Sequence, residues 1–256
     1  MPALADEPIM NMMPRWSGGY GYQLIYEYRH ERDLLEGSRK SYPGFTEDVN
    51  IMHLEGVYTW ERWIRLTAKL PYVLDARREM PDGSGGKKIE RDHGLGDLTL
   101  ALPLKKYFNL DGRSGSWTLK PTLTVPMGDD DEYEVYDHEW GNGLEVGYET
   151  ETANWHIHTS TGGWMHYGDK PFLSKSSLDI GYNFNTENNN GAVFWETDFL
   201  FEDDESKTLR TGPAFYWNFN DTTHLRLEWK RDVLDHQGTL DHGNGDMFRL
   251  SLGWVF

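Results

Sequence analysis

Cysteine is absent from the 256 residues, which excludes a disulfide framework and any thiolate metal centre. No run of about 18 apolar residues occurs, so no transmembrane helix is encoded. Basic side chains are in the minority: 25 Lys and Arg stand against 42 Asp and Glu, a formal charge of −17. A nucleic-acid-binding surface needs the opposite balance. These absences leave a soluble β domain or a protein that crosses a membrane with strands. Hydropathy alone does not separate the two, because alternation averages each barrel strand to near neutrality.

Aromatic residues, by contrast, are plentiful, with 11 Trp, 14 Tyr and 11 Phe. The closing stretch Asp246 to Phe256 reads DMFRLSLGWVF. Phe248, Leu250, Leu252, Trp254 and Phe256 share one face, and Arg249, Ser251, Gly253 and Val255 the other. Period-two alternation marks a strand. An apolar outer face ending on an aromatic suits the last strand of a transmembrane barrel, and such strands resemble the insertion signal of bacterial outer-membrane proteins.

The same pattern recurs along the chain. Tyr20, Tyr22, Leu24, Tyr26 and Tyr28 oppose Gln23, Glu27 and Arg29. Ile64, Leu66, Ala68, Leu70 and Tyr72 oppose Arg65, Thr67 and Lys69. Leu225, Leu227 and Trp229 oppose Arg226, Glu228 and Lys230. The count reaches about twelve strands at a spacing of about 20 residues, with a polar loop expected over Asp33 to Asp48. Connections alternate between short turns and longer polar loops. The expected fold is therefore all-β: an antiparallel up-and-down transmembrane β-barrel with short periplasmic turns and longer extracellular loops. The barrel is assigned residues 15–256. Residues 1–14 are read as a signal remnant and periplasmic tail, because Ala3-x-Ala5 before Asp6 looks like a leader's cleavage site.

A family resemblance enters at Gly94-Leu95-Gly96-Asp97-Leu98. This GxGD segment, the strand end Lys105-Lys106-Tyr107, the turn Val125-Pro126-Met127-Gly128-Asp129 and the Gly-rich stretch Gly141 to Tyr148 resemble an outer-membrane family described as "putative meta-pathway of phenol degradation". The resemblance is best over Gly94 to Glu151. It implies a transporter-like barrel in the bacterial outer membrane that passes small, often aromatic or hydrophobic, compounds. Gly and Pro at these places shape strand entry and turns, so the motifs speak to fold more than to substrate.

The inward faces supply the expected lumen-lining and selectivity residues: Glu27, Arg29, Arg65, Lys69, Lys120, Glu145, Glu149, His156, His158, Glu196, Asp198, Arg226, Glu228, Lys230 and Arg249. Acids and bases nearly balance, so only a weak, salt-sensitive cation preference is expected, set by acidic loops outside the pore. The expected function is a passive channel or facilitator for a small solute, porin-like in kind. The alternatives are a non-conducting barrel with a structural or binding role, or a copper-handling barrel. Met10, Met12 and Met13 are soft ligands, and Asp129, Asp130 and Asp131 could take a divalent cation. Neither group has the spacing of a defined metal site. His156, His158 and Ser160 share a face, but no orienting partner for a nucleophile can be named from the sequence, and no enzymatic activity is expected. No cofactor is implied. Expected partners are outer-membrane lipid, lipopolysaccharide and a small-molecule solute, without nucleic acid. Homo-oligomerisation stays open.

Overall fold

The computed structural model describes residues 17–36, 39–82, 86–110, 112–127, 135–136, 138–168, 171–185, 190–203, 206–237, 240–242 and 245–256. The strands are β1 (Tyr20–Glu36), β2 (Arg39–Glu61), β3 (Ile64–Pro81), β4 (Lys87–Leu95), β5 (Leu98–Ala101), β6 (Leu104–Leu110), β7 (Arg113–Val125), β8 (Gly141–Glu151), β9 (Trp155–His166), β10 (Leu173–Asn185), β11 (Asn190–Glu202), β12 (Lys207–Asn218), β13 (Thr223–Gln237), β14 (Leu240–His242) and β15 (Asp246–Val255). They merge into a closed antiparallel barrel of 12 staves. β4, β5 and β6 form one interrupted stave between β3 and β7. β14 extends the last stave between β1 and β13.

Closure is made by β15, which pairs with β1 from Gly21↔Val255 to His30↔Asp246. The Tyr20 and Phe256 backbones exchange hydrogen bonds of 2.9 and 2.7 Å, and their rings stack at 5.4 Å. Among the described staves each is paired on both sides, which lets a sheet sit in hydrocarbon. The outward face is apolar on staves all around the barrel: Leu24, Leu54, Leu144, Ile157, Val193 and Leu250 are exposed there. Aromatic rings crowd the end that holds the start of β1, the end of β15 and the short turns. Trp117 lies 4.6 Å from Tyr148 and Trp155 lies 5.4 Å from Tyr182. Such a girdle marks a membrane–water interface, and short turns mark the periplasmic one.

Two differences from the sequence reading have physical causes. Asp33 to Asp48 was expected as a loop, yet strand pairing continues over its described residues, from Arg32↔Thr46 to Leu35↔Lys40 across two register shifts. Above the membrane both faces of a hairpin meet water, so apolar alternation disappears while backbone pairing persists. The fourth stave, which the alternation of Leu98, Leu100, Leu102 and Leu104 marks as one strand over about Arg91 to Tyr107, is interrupted twice. Gly94 takes a φ of 130°, and Gly96-Asp97 then separates β4 from β5. Pro103, which cannot donate to a ladder, sits in the second gap, where its carbonyl accepts the Arg65 N–H at 3.3 Å.

Candidate functional site

The chemistry of this molecule lies inside the barrel. Every inward residue named from the sequence sits on the interior parity of its strand, because antiparallel register hands the same face from stave to stave. The interior is charged, so each group must be paired or hydrated. One continuous chain of pairs crosses the wall made by β1, β15, β13 and β11. Glu27, fully buried, receives Arg29 and Arg249 at 2.5 Å each. Arg249 reaches Glu228 at 3.6 Å, and Glu228 takes Arg226 at 2.5 Å. Arg226 also pairs with Glu196. Lys230 bridges Glu196 at 2.7 Å and Asp198 at 2.8 Å, and Lys175 closes on Asp198 at 3.4 Å.

The opposite wall is paired more locally. Lys105 and His156 both approach Glu149, at 3.2 and 3.3 Å. Lys120 meets Glu145, its register partner, at 2.7 Å. Arg65, fully buried, donates to the Tyr107 hydroxyl at 3.2 Å. The Tyr107 hydroxyl in turn donates to the Arg62 carbonyl at 2.9 Å. Breaking one member of such a network strands a charge at low dielectric, so the network is costly to edit.

Lys69 is different. It faces Glu55 across the β2–β3 ladder, but the Glu55 carboxylate accepts from Gln23 at 2.6 Å. Among the described residues Lys69 has neither an ion pair nor a hydrogen bond to its ammonium group.

Between β7 and β8, the described residues Val135, Tyr136 and His138 lie against the inner wall. The Val135 N–H donates to Asp92 at 2.9 Å and the His138 N–H to Asp97 at 3.1 Å. The His138 imidazole also lies 3.3 Å from the Asp97 carboxylate. Val135 and Tyr136 pack on Val49, Ile51, Val73 and Ala76. The Tyr136 ring lies flat over Gly96: a Cβ built there would be 2.3 Å from the ring. The GxGD segment thus has a structural job. Gly96 leaves room for the ring, and Asp97 holds the loop that carries it. A second apolar group, Ala192, Phe194, Ala214 and Tyr216, lines β11 and β12. His156 meets the Phe194 edge at 5.7 Å and His224 stacks on Tyr216 at 5.9 Å. Neither apolar patch was read from the sequence, although Val49, Ile51 and Val73 carry the inward parity.

Met10, Met12, Met13, Asp129, Asp130 and Asp131 lie outside the described residues. Glu31, Asp232 and Asp235 bring carboxylate oxygens within 4.8 Å of one another and could hold a cation, but Arg210 already forks onto Asp232 at 2.6 and 3.1 Å. His158 does gain a partner that the sequence did not reveal: Asp179, at 3.0 Å. Ser160, however, shares its hydroxyl hydrogen bond with Ser177 at 2.8 Å, so no Asp–His–Ser relay closes.

The family profile "Putative MetA-pathway of phenol degradation" matches residues 35–250. The chain belongs to this family. None of the curated protein sequences matches it. Among solved structures it is similar to an outer membrane channel from Pseudomonas putida F1, at 17% identity and a TM-score of 0.74, over 97% of this chain and 99% of that one. It is also similar to the β domain of the Bordetella autotransporter BrkA, at 11% identity and a TM-score of 0.51, over 94% of this chain and 100% of that one. Identities this low speak to fold. Together with the closed barrel and its apolar outer face, they place this family member in the bacterial outer membrane.

Proposed function

We propose that this barrel is a passive outer-membrane channel for a small solute with an apolar, aromatic body. The observation that carries the reading is the interior itself. Its charges are satisfied by one another along the walls, and two apolar patches, one under Tyr136 and one around Phe194 and Tyr216, interrupt them. A lumen built only to be sealed gains nothing from leaving Lys69 unpaired. Inward side chains of mixed sign set the selectivity, and the outer face is solvated by lipid and lipopolysaccharide. Binding weak enough for release suits facilitated passage. No chemical step is part of the function.

The dense pairing also favours a second reading, a non-conducting barrel with a binding role. Liposome swelling with a panel of aromatics, sugars and salts separates the two. Swelling with small aromatics but not with disaccharides supports the channel. Absence of swelling with every solute supports the closed barrel.

A further inference from the structure

We infer that the lumen holds a binding site for a small aromatic anion, with Lys69 taking the negative charge and Tyr136 the ring. The inference rests on the solute-channel reading only for its setting, because binding itself needs no flux.

The carboxylates in reach of Lys69 are Glu27 and Glu55. Glu27 is saturated by Arg29, Arg249 and His53, at 2.5, 2.5 and 3.3 Å. Glu55 is turned to Gln23. The ammonium therefore pairs with neither acid, and the cations nearby, Arg29 and Arg249, share its sign. Gln23 is a neutral donor that leaves the Glu55 charge in place, but neither carboxylate forms an ion pair with Lys69 among the described residues, so its ammonium donors stay open to an anion from the lumen.

The second component is apolar and adjacent. Lys69 is the register partner of Thr99 on β5. Two residues further along β3, the Pro71 carbonyl accepts the Gly96 N–H at 3.0 Å, and the Tyr136 ring covers Gly96. Two residues of strand span about 7 Å, within the reach of a lysine side chain that leans along its strand. Tyr136, backed by the buried Val73 and Ile51, supplies a surface for the ring. The charge then falls toward Lys69. An aliphatic acid would use only the ammonium, and a neutral arene only the patch.

The test is calorimetric titration of the purified barrel in detergent with benzoate, benzyl alcohol and acetate. Wild type should bind benzoate saturably and more tightly than either comparator. Lys69→Gln should weaken benzoate about tenfold, the low end for a hydrogen bond between charged partners, and leave benzyl alcohol unchanged. Lys69→Arg should restore benzoate. Tyr136→Ala should weaken both aromatics and leave acetate alone. Resistance of the unheated band to denaturation on gels checks that each variant is folded. If Lys69→Gln does not fold, the wild-type order of the three ligands and Tyr136→Ala decide. The inference is overturned if wild type binds benzoate no better than benzyl alcohol, or if Lys69→Gln weakens both alike or neither. Swelling by benzyl alcohol without benzoate binding would remove the site and leave the channel. Benzoate binding without swelling by any solute would remove the channel and leave the site.

Discussion

Asp97 and Gly96 act on the same loop by different means, and that separates their expected variants. Asp97 accepts from the His138 backbone at 3.1 Å, so Asp97→Ala leaves that donor unmet. The loss is roughly 1–3 kcal/mol of local holding energy, enough to let the loop leave the wall far more often without unfolding the barrel. Single-channel recordings should show higher mean conductance and more current noise. Gly96→Leu should push the Tyr136 ring off its seat, because the added carbons would occupy its place. The same rise in conductance is expected, and an unchanged current in both variants would show that the loop does not narrow the path. Glu27 belongs to another class. Glu27→Gln strips charge from a site facing two guanidinium groups. Removing one partner of a buried pair costs about 3–5 kcal/mol. The folded band should melt on gels at a clearly lower temperature, while Gln23→Ala, nearer the periphery of the network, should move it little.

Along a strand, neighbouring residues meet lipid and lumen in turn, and substitutions should follow that alternation. Leu250→Arg and Leu227→Arg put a cation into hydrocarbon at about 2–4 kcal/mol near the midplane and should block insertion. Lys69→Met, on an inward face and outside the ion-pair chain, should insert normally in a folding assay with lipid vesicles. Equal damage from both kinds would mean that the in–out parity is wrong. Arg249→Leu, which parity alone would place with the mild changes, belongs with the harmful ones, because it strips both Glu27 and Glu228 of a partner. That distinction measures what the sequence made legible. Parity is local, so the inward faces of β1, β3, β11, β13 and β15 can be read from a few residues at a time. Pairing across the closed barrel is not local: Glu27 and Arg249 are 222 positions apart and meet only when β15 closes on β1. The extended β1–β2 hairpin was hidden because its two faces are both polar. The inward loop was hidden because an acidic stretch reads as solvated, and nothing in Tyr136 alone announces that Gly96 lies beneath it. The GxGD segment was visible as a motif, but its task depends on residues some 40 positions away.

For the molecule as a whole, charge is divided between places with different screening. The formal charge of −17 is not matched in the lumen, where the acids and bases largely cancel in pairs, so most of the excess lies in loops and turns. Exposed loop carboxylates act through solvent and lose their reach beyond about 8 Å at physiological salt. Lys69 acts inside the path, where screening is poorer. At low ionic strength the loops should concentrate cations at the mouth and give a weak cation preference. As salt rises that contribution should fade first, and the preference should cross toward anions because the unpaired ammonium remains. Reversal potentials in planar bilayers under a fixed gradient, measured from low to high ionic strength, test the crossing. Lys69→Met should abolish it and leave only the fading cation preference. A cation preference in wild type that persists at high salt would mean that paired acids such as Glu145 or Asp198 still govern the path, and that Lys69 is not where the solute passes.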